Sequence, residues 1–309
     1  MIPSSFDYLA PATVGEAVSL LRAHAGDAKI LAGGQSLIPM LKLRLAEPAV
    51  LIDINRIPGL GYVEERDGSL RIGALAREAD LETAAVVRQR YQILNDTTAV
   101  IADPLVRNTA TVCGNIAHGD PGNDHPATML ALDATFVAQG PGGTRRIPAR
   151  DFFLGLFSTA LNEDEILVEI AVPRPAERGA GCYLKLERKV GDYATAGVAV
   201  QLTLDVAGGC ARAGIGLTNV GAMAIEAVRA EDFLRNKPLD DATIEQASEI
   251  AASEADPLED RRGSADYKRD VVRVLTDRAL RLAASRAAGA RIATPLPFTY
   301  SPSQTALRS

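Results

Sequence analysis

The stretch AKILAGGQSLIPMLKLRLAEPAVLIDI, Ala28 to Ile54, constrains the fold more than any other part of the chain. Lys29 to Ala32 is apolar over the length of a short buried strand, and Ala49 to Ile54 is strand-like again. Between them Leu37, Met40, Leu41 and Leu45 recur at the spacing of one helical face. Strand, turn, helix and strand in sequence make a β–turn–α–β unit, which predicts an α/β lobe over residues 1–55. The turn itself, Ala32-Gly33-Gly34-Gln35-Ser36, admits two readings. It is a tight connection with a helix cap, or it is a collar of main-chain N–H groups around an anion. Gly33 and Gly34 let the backbone approach a ligand closely and adopt positive φ. Ser36 opens a helix whose first N–H groups lack internal partners, and Pro39 falls where a missing N–H costs nothing. A pyrophosphate would fit there. The pattern is neither GxGxxG nor GxxxxGK[ST], so Rossmann and P-loop readings are unsupported.

The remaining chain extends the same logic. Thr13 to Glu16, TVGE, has capping-box form ahead of a helix bearing Ala17, Val18, Leu20 and Leu21. Tyr62–Glu65 and Leu70–Gly73 flank the turn signal RDG, which predicts a hairpin. Helical patterns follow over 78–87 and 91–102. A second small-residue turn, Thr111-Val112-Cys113-Gly114-Asn115, precedes a Gly/Pro/Asp loop, a short helix from His125 and a strand through Phe136. From Gly181 three sequential strands read as an antiparallel meander, then helices at 224–235 and 241–252. Ser264 is a natural N-cap for a last helix to about Ala284. The boundary between the two halves falls in VPRPAERGAG, Val172 to Gly181, and residues 290–309 read as an irregular tail.

The candidate chemistry is sparse. The two small-residue turns could face each other and hold two phosphates, or each could merely connect two elements. HGDPGNDH, His118 to His125, is a turn before it is a metal site, with Asp124 as a helix N-cap that could also touch a ligand. KLERKVGDYATA, Lys185 to Ala196, is either an exposed strand end or a lysine facing an anion with Tyr193 covering a planar ring. The charged run EDRRGSADYKRD reads as a solvated helix start. There is no GxSxG, no HExxH and no acid/base dyad, so no residue is assigned a catalytic role.

A net charge of −6 gives no attraction to nucleic acid. The three cysteines lack zinc or iron–sulfur spacing, and their odd count suits a reducing compartment. No basic leader with an apolar run opens the chain, and no apolar stretch reaches the roughly 20 residues of a membrane span. A cytoplasmic protein without metal ligands of its own is expected.

Taken together, FDYLAPATVGEAVSLL, ILAGGQSLIPMLKLRL, LIDINRI, IADPLVRNTATVCGNIAHGDPGND, DEILVEIAVP, KLERKVGDYATAGVAV and RGSADYKRD resemble, in order and spacing, one family. It is the FAD-binding medium subunit of the molybdenum hydroxylases, the family of xanthine dehydrogenase and aerobic carbon monoxide dehydrogenase. The resemblance implies a two-part FAD-binding α/β domain of the vanillyl-alcohol oxidase-like kind, over 1–55 and 56–177. A C-terminal α+β domain with a three-stranded antiparallel sheet follows over 178–289. It implies that Ala32 to Ser36 and Thr111 to Asn115 clasp the FAD pyrophosphate, and that Asp124, Leu167, Lys185 and Tyr193 lie against the flavin. Molybdenum cofactor and [2Fe–2S] clusters are implied only for partner chains. Those partners are a large molybdopterin subunit and a small iron–sulfur subunit in a dimer of heterotrimers, with an external electron acceptor. The family's second turn carries two glycines where this chain has Cys113 and Gly114. That substitution is strained if the first position needs positive φ. A self-contained FAD oxidase of the vanillyl-alcohol oxidase type and a scaffold without cofactor are the alternatives.

Overall fold

A computed structural model describes residues 2–293 and 298–299. It resolves into two compact units that are not contiguous in sequence. The first takes the chain up to Arg90, then Asp103–Asp120 and Leu132–Arg174; the second takes Tyr91–Ala102, Pro121–Ala131 and the chain from Pro175.

In the first unit, β1 (Asp7–Leu9), β2 (Ala28–Leu31) and β3 (Val50–Asp53) form a parallel sheet in the order β1-β3-β2. Central β3 is buried at all four residues, as a parallel strand covered on both faces must be. Helix α1 (Val14–Ala23) buries Ala17, Val18 and Leu21, and its N-cap Thr13 accepts from Glu16 N at 3.1 Å. Glu16 reaches back one residue further than a capping box requires, to the N–H of Ala12 at 2.8 Å. Helix α2 (Leu37–Leu43) departs from the expected apolar face. Only Leu41 is buried within it, Leu37 and Met40 are half-buried, and the left-handed φ of 57° at Arg44 ends the helix before Leu45, which is exposed.

A second sheet runs in the order β4 (Val63–Arg66), β5 (Ser69–Gly73), β10 (Ile166–Pro173), β6 (Thr135–Gly140) and β7 (Gly143–Pro148). Strands β4 (Val63–Arg66) and β5 (Ser69–Gly73) form the expected hairpin, with Asp67 and Gly68 at φ of 53° and 72°. Two positive φ values in a two-residue loop match the right-handed twist of the strands. The helix expected over 78–87 is two helices, α3 (Glu78–Thr83) and α4 (Ala85–Arg90), because Ala84 is extended at ψ 121°. Helix α5 (Gln92–Ala99) belongs to the second unit, whereas α6 (Pro104–Arg107) and α7 (Val112–His118) belong to the first. After α8 (Asp124–Ala131), again of the second unit, β6 (Thr135–Gly140) and β7 (Gly143–Pro148) complete the sheet edge. A small hairpin, β8 (Phe153–Gly155) with β9 (Ser158–Thr159), precedes the central β10 (Ile166–Pro173). Phe136, Phe152 and Phe153 pack edge to face here, with centroids 4.5–6.0 Å apart.

The second unit is built on β11 (Gly179–Glu187), β12 (Ala194–Leu204) and β13 (Cys210–Thr218), the expected meander. The two-residue strand β14 (Ile225–Glu226) flanks β13. Alternation divides the sheet into two faces. Cys182, Leu184, Val198, Val200 and Ile215 join one core with α9 (Val228–Leu234), α10 (Asp241–Glu254) and α11 (Ala265–Ala287). The opposite face receives α5 and α8. Ser264 caps α11, accepting from Tyr267 N at 3.2 Å. Of the expected tail, Phe298–Thr299 forms β15, parallel to β11; 294–297 and 300–309 lie outside the described residues. No described helix is long and apolar enough to cross a membrane.

Candidate functional site

In the first unit the two small-residue segments meet. A Cβ added to Gly33 would stand 2.4 Å from the carbonyl oxygen of Thr109 and 2.9 Å from Thr111 N, so only glycine permits the approach. Gln35 Nε2 donates to Thr109 Oγ1 at 2.5 Å across the same seam. Gly34 carries φ +74°, the positive value the turn needs. Ser36 occupies the N-cap of α2 without a side-chain cap bond. Among the described residues no acceptor takes the N–H of Gly33, Gly34, Gln35, Ser36 or Leu37. Five consecutive main-chain donors without a protein acceptor leave this turn able to satisfy an anion, and a dinucleotide pyrophosphate is of that chemistry.

The second segment is not a turn but the start of a helix. Thr111 is the N-cap of α7, its hydroxyl accepting from Gly114 N at 3.2 Å, and Val112 to Asn115 are its first turn. Cys113 is therefore helical and is not among the positive-φ residues, so the strain feared for a glycine replacement does not arise. Its thiol is buried and points at the carbonyls of Ile72 and Gly73, 3.7 and 3.6 Å away. Burial, with the nearby charges of Glu169 and Glu78, pushes the thiol far above the ordinary range, which makes it inert at neutral pH.

Leu167 also lies in the first unit. It is buried on β10 beside an irregularity where Leu167 pairs with Ala138 and Glu169 with Val137, leaving Val168 as the extra residue of a bulge.

The second unit gathers Asp124 and Lys185. Asp124 is not the residue before its helix but the first residue of α8, and its carboxylate serves the sheet instead of capping. Asp124 Oδ2 lies 3.0 Å from Lys185 Nζ, and Oδ1 accepts from Tyr183 OH at 2.6 Å. Lys185 also donates to the carbonyl of Val100 at 3.0 Å and pairs with Glu187 Oε2 at 3.4 Å. Far from being an exposed strand end, Lys185 is 2% exposed, held by two hydrogen bonds and an ion pair. Burial raises the pKa of Glu187 and the Lys185 ammonium works against that rise. Glu187 Oε1 accepts from Gly191 N at 3.2 Å and so holds the loop that carries Tyr193, which is 48% exposed. Asp192 in that loop pairs with Arg188 and with Arg262, each at 3.2 Å. Arg262 comes from the run expected to be solvated, and Lys268 of that run is buried on Asp260 at 2.9 Å.

Tyr183 and Glu187 escaped the sequence reading. Both stand two residues from Lys185 on one strand, and the period of two would have placed all three on one face. Among the described residues no group of three or more His, Cys, Asp or Glu is set to hold a metal ion.

Comparison with known proteins gives consistent matches. The family described as FAD binding domain in molybdopterin dehydrogenase matches residues 4–175, and the CO dehydrogenase flavoprotein C-terminal domain matches residues 181–283. The carbon monoxide dehydrogenase medium chain of Hydrogenophaga pseudoflava is 46% identical over 93% of this chain and 100% of its own length. The 6-hydroxypseudooxynicotine dehydrogenase complex subunit alpha of Paenarthrobacter nicotinovorans is 39% identical, covering 93% of this chain and 97% of its own. A solved carbon monoxide dehydrogenase chain from H. pseudoflava superposes with a TM-score of 0.90 at 47% identity, over 93% of this chain and 99% of that one.

Proposed function

The chain belongs to the FAD-binding family of the molybdopterin dehydrogenases, and from that membership we propose that it is the flavoprotein subunit of a multi-subunit molybdenum dehydrogenase. In this reading it binds FAD without a covalent link, takes electrons from a [2Fe–2S] partner subunit and passes them to an external acceptor. Substrate oxidation takes place on a molybdopterin partner subunit, the whole being a dimer of heterotrimers. The observation that carries the reading is the meeting of Gly33 with Thr109 and Thr111 beside a row of free N–H groups.

Bound FAD would supply the redox chemistry, exchanging electrons singly or in pairs. The chain's own residues supply its place and its field. Ala32 to Ser36 would hold the pyrophosphate through the free main-chain donors that begin at Gly33, and Thr111 to Asn115 would close on it from the facing segment. Asp124, Leu167, Lys185 and Tyr193 would line the flavin. Tyr183 fixes the Asp124 carboxylate, and Asp124 with Glu187 fixes the Lys185 ammonium, so that this charge is held in one place. Relatives with a nicotine-derived substrate and with carbon monoxide in their names share this subunit type, so substrate choice is assigned to another chain.

The test is co-expression with the neighbouring subunits, followed by a visible spectrum and acid precipitation. Yellow colour released into the acid supernatant, with iron–sulfur absorbance residing in a co-purifying chain, is expected. Gly33→Ala should give a colourless protein. Colour retained in the acid pellet would replace this reading with a self-contained flavin oxidase, and a chain that cannot be reconstituted would leave a scaffold.

A further inference from the structure

Within the first unit a hydrogen-bonded bridge ties the two pyrophosphate segments together while belonging to neither. Asn55, two residues beyond β3, donates Nδ2 to the carbonyl of Ala32 at 2.8 Å and to Asp53 Oδ1 at 2.6 Å. Its Oδ1 accepts from Arg77 Nη2 at 2.7 Å. The other arm of the same guanidinium, Nη1, donates to the carbonyl of Thr109. The chain of contacts thus runs from Ala32 through Asn55 and Arg77 to Thr109. The main chain around Arg77 is pinned separately. Its N–H donates to Asp80 Oδ2 at 2.9 Å, Glu78 N to the carbonyl of Ala110 at 3.0 Å, and Val112 N to that of Ala76 at 3.1 Å.

We propose that Arg77 and Asn55 form a clasp that sets the spacing of the two segments, and with it the aim of the first segment's free N–H groups at a dinucleotide pyrophosphate. Both are positioning residues, and the inference rests on the FAD reading above. Three features support it. Asparagine can donate to Ala32 and accept from Arg77 at once, whereas aspartate could only accept and leucine could do neither. The planar guanidinium fork spans two acceptors with its geometry set in advance, which a lysine point charge does not. Finally, Asn55 is exposed and Arg77 half-buried, outside the packed core of the unit. Hydrogen bonds there contribute little to folding, whereas a small shift between two phosphate-binding segments is felt directly by the ligand. Arg77 also has no carboxylate at ion-pair distance among the described residues, so its charge adds positive potential where the segments meet.

The test uses the full chain stripped of FAD, titrated with FAD by flavin fluorescence, alongside urea unfolding of the apoprotein. Arg77→Met and Asn55→Leu should each raise the FAD Kd ten-fold or more, about 1.4 kcal/mol, with the urea midpoint unmoved. The double variant should be no worse than the weaker single one, because either change opens the same bridge. Arg77→Lys, keeping the charge and one link, should fall between wild type and Arg77→Met. Single variants that bind like wild type would overturn the clasp, as would losses that add in the double variant. Losses that merely track the urea midpoint would do the same. Wild-type apoprotein that fails to bind FAD would instead strike the flavoprotein reading itself.

Discussion

At the scale of single residues, the two positions that most invited concern have opposite characters. Cys113 departs from the family's glycine, yet the backbone there is helical with negative φ, so the side chain costs the site nothing. Lys185, which the residues alone left as either an exposed strand end or a cation facing an anion, is among the most buried ions of the second unit, held by Asp124, Glu187 and the Val100 carbonyl. Replacing it by methionine leaves two buried carboxylates without their cation, which typically costs about 3–5 kcal/mol. Lys185→Met should therefore lower the urea midpoint sharply. If the protein still binds FAD, the proposed place of Lys185 beside the flavin predicts that the flavin midpoint potential falls, since a positive charge there favours the reduced, more negative cofactor. A variant with unchanged stability and potential would show that the cluster has no such role.

At the scale of elements, what places Asp124 is the fit of a helix on a sheet. A Cβ on Gly214 or Gly216 of β13 would lie 2.1 or 1.9 Å from the carbonyl oxygens of Ala131 and Ala127 on α8. The helix rests against bare backbone, and its first residue reaches Tyr183 and Lys185 from there. Gly216→Ala must push α8 outward, at a cost of about 1–3 kcal/mol. In a urea titration it should unfold earlier than wild type, and its Tyr183–Asp124 bond should lengthen in a crystal structure. Equal midpoints would mean that α8 is freer to shift than the contact implies. Gly214 and Gly216 were visible in the sequence, but as strand residues they said nothing of which helix would cover them. The strands of the meander and the cap at Ser264 were legible because each depends on neighbours in the chain. The break at Ala84 and the left-handed end of α2 at Arg44 were not, because neither position carries the glycine or proline that marks such points.

For the whole molecule, the balance of charges predicts how stability follows pH. Glu165, bonded by Arg145, and Asp240, capping α10 through Thr243 N, both have lowered pKa values. Such groups add stability above the ordinary carboxylate range near about 4, and that gain is lost as pH falls through their folded pKa values. Glu187 runs the other way. Its pKa is raised by burial, so the folded state holds its proton more tightly than the unfolded chain does. Stability therefore declines as pH rises from the ordinary glutamate value of about 4.3 through the raised one, and then levels. Thermal midpoints measured between pH 3 and 8 should show that decline in wild type, and a flatter profile in Glu187→Gln. Parallel profiles would remove Glu187 from the account. The order of elements, the small-residue segments at Ala32–Ser36 and Thr111–Asn115 and the family likeness were all determined by the sequence, because periodicity, caps and glycines are local properties. Tertiary structure alone decided that Gly33 meets Thr109, that Arg77 and Asn55 bridge the gap, and that Lys185 is buried between two carboxylates. Those contacts join residues far apart in the chain, and no local preference encodes the closeness of groups that only the packed core brings together.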